Sequence, residues 1–98
     1  MELMISQPMN GKTNEQIKNE RKDLVQRLTE EGHEVVNTIF DEEPTKDVDE
    51  AIYYLAKSIE YIGRVDGVVF MPNWNKARGC KIEHEVAVEY GKKVFYCN

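Results

Sequence analysis

Residues 66–94, DGVVFMPNWNKARGCKIEHEVAVEYGKKV, decide the fold class of this chain. They begin with an apolar run at 66–71, which is typical of a parallel strand that is buried on both faces. Pro72 ends the run, and a polar loop leads to Gly79, where we predict that a helix begins. Gly91 is typical of a helix end, and the apolar residues after it predict another strand.

One carboxylate lies within the apolar face of the predicted helix. At about 100° per residue, Glu83 falls inside an arc formed by Cys80, Ile82, Val86, Ala87 and Tyr90. His84 projects away from this arc, which argues against a catalytic Cys80–His84 pair. Glutamate is rarely buried without a partner, and burial raises its pKa. Glu83 is therefore either a structural group held by hydrogen bonds or a nucleophile or general base, and the residues alone leave both roles open.

Length and composition exclude several classes of protein. The 98 residues suffice for one domain, spanning 1–98, and their 41% hydrophobic and 32% charged content is ordinary for a globular protein. A net charge of −5 argues against a nucleic-acid partner. No apolar run is long enough to span a membrane, and no basic segment precedes the first apolar stretch. The two cysteines have no metal-ligand spacing, so we expect a cytoplasmic protein with neither metal nor cofactor.

Strands and helices alternate along the whole chain. We predict strands at 3–6, 33–40, 66–71 and 93–96, and helices at 13–31, 48–62 and 79–90. Thr13 and Gln16 fit a capping box. The predicted buried arc of the second helix comprises Ala51, Ile52, Leu55, Ala56, Ile59 and Ile62, with Ser58 at its edge. The expected fold is α/β, a three-layer Rossmann-like or flavodoxin-like parallel sheet of about four strands with helices on both faces.

In such sheets the ligand crevice lies beyond the carboxyl ends of the strands, which here are followed by loops 7–12 and 72–78. The start of the helix at Gly79, beside Lys76 and Arg78, suits an anion, although such cations are usually just solvated. Trp74 either stacks on a base or sugar or covers the edge of the core or a subunit contact. Arg21 lies in the apolar stripe of the first helix. We expect its stem to pack on the core and its head to reach the surface; the alternative is a guanidinium aimed at a carboxylate or phosphate.

Four stretches resemble a family of small uncharacterised proteins, common in phage and prophage genomes and usually described as deoxyribosyltransferase-like. They are SQPMNGK at 6–12, GHEVV at 32–36, YLAKS at 54–58 and WNKARGCKIEHE at 74–85. The spacing Gly79, Glu83, Ala87, Gly91-Lys92 is also similar to the signature of the nucleoside 2-deoxyribosyltransferase-like superfamily. Enzymes of that superfamily cleave the N-glycosidic bond of deoxynucleosides or their monophosphates through a glutamate that attacks the anomeric carbon.

The resemblance implies that Glu83 is the nucleophile. The substrate-binding residues that we expect are Gln7, Pro8, Met9, Asn10, Gly11, Ser58, Asn73, Trp74, Arg78 and Gly79. Three positions depart from the enzymes: Ser58 stands where they carry an aspartate that assists the leaving base, Met4 where some carry an aromatic hydroxyl, and Ala77 where they carry a small hydroxyl residue. The resemblance also implies that the site is completed across a homodimer.

The expected function is binding of a nucleoside, nucleotide or sugar phosphate, with cleavage or transfer at an N-glycosidic bond by Glu83. The alternative is a non-catalytic nucleotide-sensing or protein-interaction module on the same fold, which Ser58 and Met4 favour. A phage accessory protein that acts on a host partner is a third hypothesis. The sequence leaves open whether the chain is an enzyme.

Overall fold

The structure, a computed structural model, describes residues 1–40 and 42–97. Strands and helices alternate between Glu2 and Tyr96. The strands are β1 (Glu2–Ser6), β2 (Glu34–Val35), β3 (Gly67–Phe70) and β4 (Lys93–Tyr96). The α-helices are α1 (Asn14–Glu30), α2 (Glu50–Ile62) and α3 (Arg78–Glu89), and a single 3₁₀ turn (Trp74–Lys76) precedes α3.

The four strands form one parallel sheet in the order β2-β1-β3-β4. The order reverses between β1 and β3, because the chain first moves outward to β2 and then returns across β1 to β3. Ligand crevices of doubly wound sheets lie at such a point, beyond the carboxyl ends of the strands. Ser6 pairs with Phe70 at this end, so the loops after β1 and β3 emerge side by side.

Alternate residues of the central strands point to opposite faces of the sheet. Leu3, Ile5 and Val69 pack with residues of α1, whereas Met4, Val68 and Phe70 pack with Ile62 of α2 and Ala87 of α3. The sheet therefore has helices on both faces, as the sequence predicts for this α/β fold, with one on one face and two on the other. Gly67 permits close strand spacing, since a Cβ there would lie 2.9 Å from the backbone oxygen of Lys93.

The N-terminal cap of α1 and the last strand, β4, agree with the sequence prediction. The second strand does not. Thr13 caps α1 and exchanges the two hydrogen bonds of a capping box with Gln16. The prediction of a strand over 33–40 is wrong in extent, because only Glu34–Val35 pairs with β1. Beyond Val36 the chain turns inward, and the Thr38 hydroxyl donates to the Ile5 carbonyl at 3.4 Å.

The predicted buried arc of α2 is also wrong. Only Ile62 of that helix is fully buried, and Ile52 is 64% exposed. α2 packs beside α3 and joins the core through Ile62 near its C-terminal end, so the apolar side chains of its first turn lie outside the core. An apolar surface on α2 is left uncovered in the single chain.

No helix within the described part of the chain is long and apolar enough to cross a membrane.

Candidate functional site at the end of the first strand

Glu83 is in the second turn of α3, and its side chain reaches the carboxyl end of β1. Its side chain is only 8% exposed, and the Ser6 hydroxyl donates a hydrogen bond of 2.8 Å to its Oε1. Ser6 ends β1 and is itself fully buried. A residue of the first strand and a residue of the last helix thus meet at the point where the strand order reverses.

Two further polar groups border this carboxylate. The Ser58 hydroxyl of α2 lies near Glu83 and lowers the pKa of its carboxyl group, and Cys80 lies one turn before Glu83 on α3. Burial raises the pKa of the Cys80 thiol to about 11, so the thiol is neutral near pH 7 and unsuited to be a nucleophile. Glu83 is the nucleophilic candidate of the cluster.

Burial is the main influence on Glu83 and raises the pKa of its carboxyl group. The hydroxyls of Ser6 and Ser58 and the positive charge of Arg21 act in the opposite direction, but they do not offset burial fully. The site therefore holds a carboxylate whose charged form is disfavoured by its surroundings. Such groups are common where a carboxylate acts as nucleophile or base.

Arg21 corrects the expectation of a surface head group. Its side chain is 5% exposed, its Nε donates to Gln7 Oε1 at 2.8 Å and its Nη1 donates to Thr38 Oγ1 at 3.3 Å. Nη2 is buried and has no hydrogen-bond partner among residues 1–40 and 42–97. Burial lowers the pKa of Arg21 to about 10, and the charge of Glu83 raises it in part.

The first predicted ligand loop begins with a residue that faces the protein interior. Gln7 is 4% exposed, and its amide nitrogen donates to the Ile17 carbonyl and to Glu20, so its side chain ties the loop to α1. Pro8 and Met9 are half-buried, whereas Asn10 and Gly11 are exposed. Gly11 adopts a positive φ of 76° in the turn that closes the loop. The loop leaves β1 directly after Ser6 and therefore starts beside Glu83.

The second predicted ligand loop, 72–78, has exposed residues and one residue, Trp74, that packs against other aromatic rings. Arg78 is exposed at the first residue of α3, and Gly79 beside it is half-buried. Asn73 is exposed with a left-handed backbone, φ 69°. Trp74 packs on Phe70 and stacks against His84, with ring centroids 4.2 Å apart, so one face of the indole is already covered.

The position of His84 contradicts the helical projection. His84 lies between Trp74 and Tyr96, and its Nε2 is hydrogen-bonded to the Tyr96 hydroxyl at 2.6 Å. Ile82 and Tyr90, assigned to the buried arc, are 40% and 79% exposed. The buried face of α3 runs through Cys80, Glu83 and Ala87 and is rotated towards His84, because the 3₁₀ turn and β4 pack on that side.

The structure thus brings Ser58 to Glu83, and it starts the 7–12 loop at the same point. Trp74 instead belongs to an aromatic group on the β4 side of α3. Sequence reasoning missed Ser6 and the burial of Arg21. Two signals in the sequence could have indicated these residues. Ser6 places a hydroxyl at the end of the first strand, and Arg21 is a cation within an apolar helical stripe.

The described residues contain no cluster suited to a metal ion. Residues 1–40 and 42–97 contain no group of three or more His, Cys, Asp or Glu side chains close enough to hold a metal ion. Two surface depressions lie elsewhere: one between α1 and β4, lined by Leu28 and Phe95 among others, and one along residues 43–50 with Tyr54.

Comparison with known families identifies the chain. A family model described as "Domain of unknown function (DUF4406)" matches residues 1–96. The chain belongs to this family. The match includes every strand and helix of the fold, which agrees with the resemblance to a small uncharacterised family. No curated protein matches the chain.

Among solved structures, the fold is similar to that of the CMP N-glycosidase BcmB of Clostridium botulinum. The TM-score is 0.61 at 23% sequence identity, and the match covers 98% of this chain and 67% of that chain. Sequence identity of this size supports a shared fold, and a function has to be argued from the residues of the site itself.

We expect Glu83→Gln to stabilise the protein at neutral pH. A carboxyl group whose folded pKa is raised favours folding fully below its unfolded value of about 4.5, and it loses that contribution as the pH rises through the folded pKa. The advantage of the glutamine variant over the wild type should therefore be larger at pH 8 than at pH 4.

Urea denaturation at both pH values measures this difference. Glu85→Gln, at an exposed position on the same helix, controls for the loss of one negative charge. An advantage of Glu83→Gln that is larger at pH 4 than at pH 8 would contradict a desolvated carboxylate.

Proposed function

We propose that this protein binds a nucleotide or a related nucleoside or sugar phosphate and cleaves or transfers at its N-glycosidic bond, with Glu83 as nucleophile. The observation that carries the proposal is the buried Glu83 carboxylate at the reversal point of the sheet, hydrogen-bonded to Ser6. We favour a nucleotide as the substrate class because BcmB, whose fold is similar, is a CMP N-glycosidase.

The chemistry would proceed in two displacements. A carboxylate oxygen of Glu83 forms a bond to the anomeric carbon, the C–N bond breaks, and its electron pair leaves with the base nitrogen, which takes up a proton. Water or a second base then attacks the anomeric carbon and releases Glu83 as carboxylate. A covalent glycosyl intermediate of this kind is the route of retaining glycosidases.

The start of α3 could bind the phosphate of such a ligand. The first backbone amides of this helix have no side-chain cap, since Ala77 occupies the N-cap position. Arg78 and Lys76 add positive charge at this end. Several other proposed ligand contacts are at least partly exposed: Asn10, Gly11 and Asn73 are exposed, and Pro8, Met9, Ser58 and Gly79 are half-buried. Trp74 is a weaker candidate, because His84 covers one face of its ring.

A non-catalytic nucleotide-sensing or protein-interaction module is the second candidate. Two observations favour it: Glu83 is 8% exposed with hydroxyls of Ser6 and Ser58 on its carboxylate, and Ser58 cannot supply the carboxylate that the resembling enzymes use to assist the leaving base. The sequence also predicts a phage source, a cytoplasmic location and a host partner. These three points stay predictions.

A homodimer is part of the proposal. The α2 helix that carries Ser58 exposes apolar side chains, with Ile52 64% and nearby Val48 47% exposed. A second copy would remove this surface from water and bring its side chains to a site at which residues 1–40 and 42–97 of one chain place no second carboxylate.

The base-release experiment tests the enzymatic proposal. We expect free base to form from one or more nucleoside monophosphates, including CMP and dCMP, and Glu83→Gln to lower the rate by roughly a thousandfold or more, because the nucleophile is lost. Chromatographic quantification of the base measures this, with Glu85→Gln as the exposed control on the same helix.

Binding of a nucleotide without base release would support the sensing module instead. Absence of both binding and release across nucleosides, nucleotides and sugar phosphates would reject the two ligand hypotheses together.

Ser58→Asp tests whether the missing acid limits turnover. A carboxyl group beside Glu83 could protonate the leaving base, and general acids of this kind contribute about 100-fold or more to rates. We expect Ser58→Asp to accelerate base release about 10- to 100-fold, with Ser58→Asn as the uncharged control of similar shape. Equal rates for the aspartate and asparagine variants would count against a role for position 58 in leaving-group departure.

Ile52→Lys tests the dimer. We expect the wild type to sediment as a dimer and Ile52→Lys to shift it towards monomer, since a charge would be buried in the interface. Analytical ultracentrifugation measures the equilibrium, and Val88→Lys, at a 53% exposed position of α3, is the matched control. A monomeric wild type would remove this part of the proposal.

A further inference from the structure

Four aromatic rings lie together at the carboxyl ends of β3 and β4, next to the candidate site. They belong to Phe70, Trp74, His84 and Tyr96. Their burial is graded: Phe70 is fully buried, Trp74 and His84 are half-buried, and Tyr96 is 53% exposed. Tyr96 is therefore the ring through which this group meets the solvent.

The register of the sheet places Tyr96 in one row with the residue that binds Glu83. Ser6 pairs with Phe70 and Phe70 pairs with Tyr96, so the last residues of β1, β3 and β4 are aligned across the sheet. Residues paired in this way point to the same face. On that face the Ser6 hydroxyl donates to Glu83, and the Tyr96 hydroxyl is hydrogen-bonded to His84. Because neighbouring strands lie about 4.8 Å apart, the backbones of Ser6 and Tyr96 are separated by about 10 Å.

The Tyr96 ring is held in one orientation. His84 Nε2 is hydrogen-bonded to its hydroxyl at 2.6 Å, and the Trp74 indole stacks beside it with ring centroids 5.7 Å apart. The backbone is fixed as well, because the Cys97 amide donates to the Phe70 carbonyl at 2.8 Å and extends the strand pairing past Tyr96. Single exposed aromatic side chains are common on protein surfaces. A ring that is already fixed, however, loses little conformational entropy when a ligand stacks on it.

We propose that Tyr96 is the residue of the candidate site on which the base of a nucleotide stacks. This role rests on the proposed function, which puts the sugar at Glu83. A base directed from that sugar along the row would meet the exposed ring of Tyr96. Trp74 then supports Tyr96 from behind and does not itself contact the base, which agrees with the cover that His84 gives to one face of the indole.

Stacking on an aromatic ring has a characteristic selectivity. Every base has a π-face, so a stacking residue accepts all bases and discriminates little among them. A sugar phosphate without a base gains nothing from the ring. The site should therefore prefer nucleotides to sugar phosphates, and loss of the Tyr96 ring should remove this preference.

The test compares the binding of CMP with that of ribose 5-phosphate, which has the same sugar and phosphate but no base. Glu83→Gln is the parent protein for both titrations, so that CMP stays intact, and isothermal titration calorimetry gives the dissociation constants. We expect the parent to bind CMP about 10-fold or more tightly than ribose 5-phosphate, and the added substitution Tyr96→Leu to abolish most of that difference. Equal affinities in the parent, or an unchanged difference in Tyr96→Leu, would overturn the proposal.

Two further variants in the same background serve as controls. Tyr96→Phe keeps the ring and loses only the hydroxyl, and Tyr90→Leu removes a tyrosine that is 79% exposed at the end of α3. Both should keep the parent's preference for CMP. A loss of preference in Tyr90→Leu as large as that in Tyr96→Leu would count against a specific role for Tyr96.

A second measurement uses the intact Tyr96 ring and covers the case in which Tyr96→Leu does not fold. Nuclear Overhauser effects are recorded between the ring protons of Tyr96 and those of cytosine in the complex of CMP with the Glu83→Gln parent. The Tyr96 signals are assigned by their absence in Tyr96→Phe. We expect these contacts to be present, and their absence in a saturated complex would overturn the proposal.

Base release by the wild type separates this role from the proposed function. If the wild type releases base from CMP while Tyr96→Leu leaves the preference unchanged, the proposed function stands and the stacking role fails. If the wild type releases no base while Tyr96→Leu weakens CMP binding, the proposed cleavage fails and the stacking role stands. A parent that binds no CMP would overturn the stacking role.

Discussion

The hydrogen bond from Ser6 to Glu83 joins the first strand to the last helix and fixes the candidate site. It bridges residues 77 positions apart in sequence, at the edge of the sheet where the strand order reverses. An acceptor this deeply buried has to be satisfied within the protein, so the hydroxyls of Ser6 and Ser58 are part of what makes a carboxylate tolerable there.

A second polar network lies on the other face of the sheet. Arg21, Gln7 and Thr38 connect α1 to the ends of β1 and β2, and they bury a positive charge where apolar side chains would have sufficed for stability. Proteins seldom retain buried ions without specific compensation, and here each charge lies within the influence of the other. The fold thus buries one charge on each side of the sheet, and perturbed buried charges are more frequent at functional sites than in structural cores.

The uncovered side of α2 has a different origin. A four-stranded sheet with three helices leaves little room to bury a strongly apolar helix along its whole length, so the first turns of α2 remain in water in the single chain. The same helix carries Ser58 towards Glu83. α2 therefore carries both the apolar surface that a partner could cover and Ser58, the residue that distinguishes this chain from the resembling enzymes.

The sequence by itself determined the order and type of the elements, the capping box at Thr13, the parallel sheet and Glu83 as a carboxylate on a buried helix face. These features depend on local periodicity, on glycine and proline, and on caps, all of which act within a few residues. Tertiary structure alone decided the burial of Arg21, the contact of Ser6 and Ser58 with Glu83, the stacking of Trp74 on His84 and the exposure of Ile52. A helical projection identifies an apolar arc but not the neighbours that cover it. Burial depends on which distant elements pack against a face, and in this small domain three helices divide two faces of the sheet unequally.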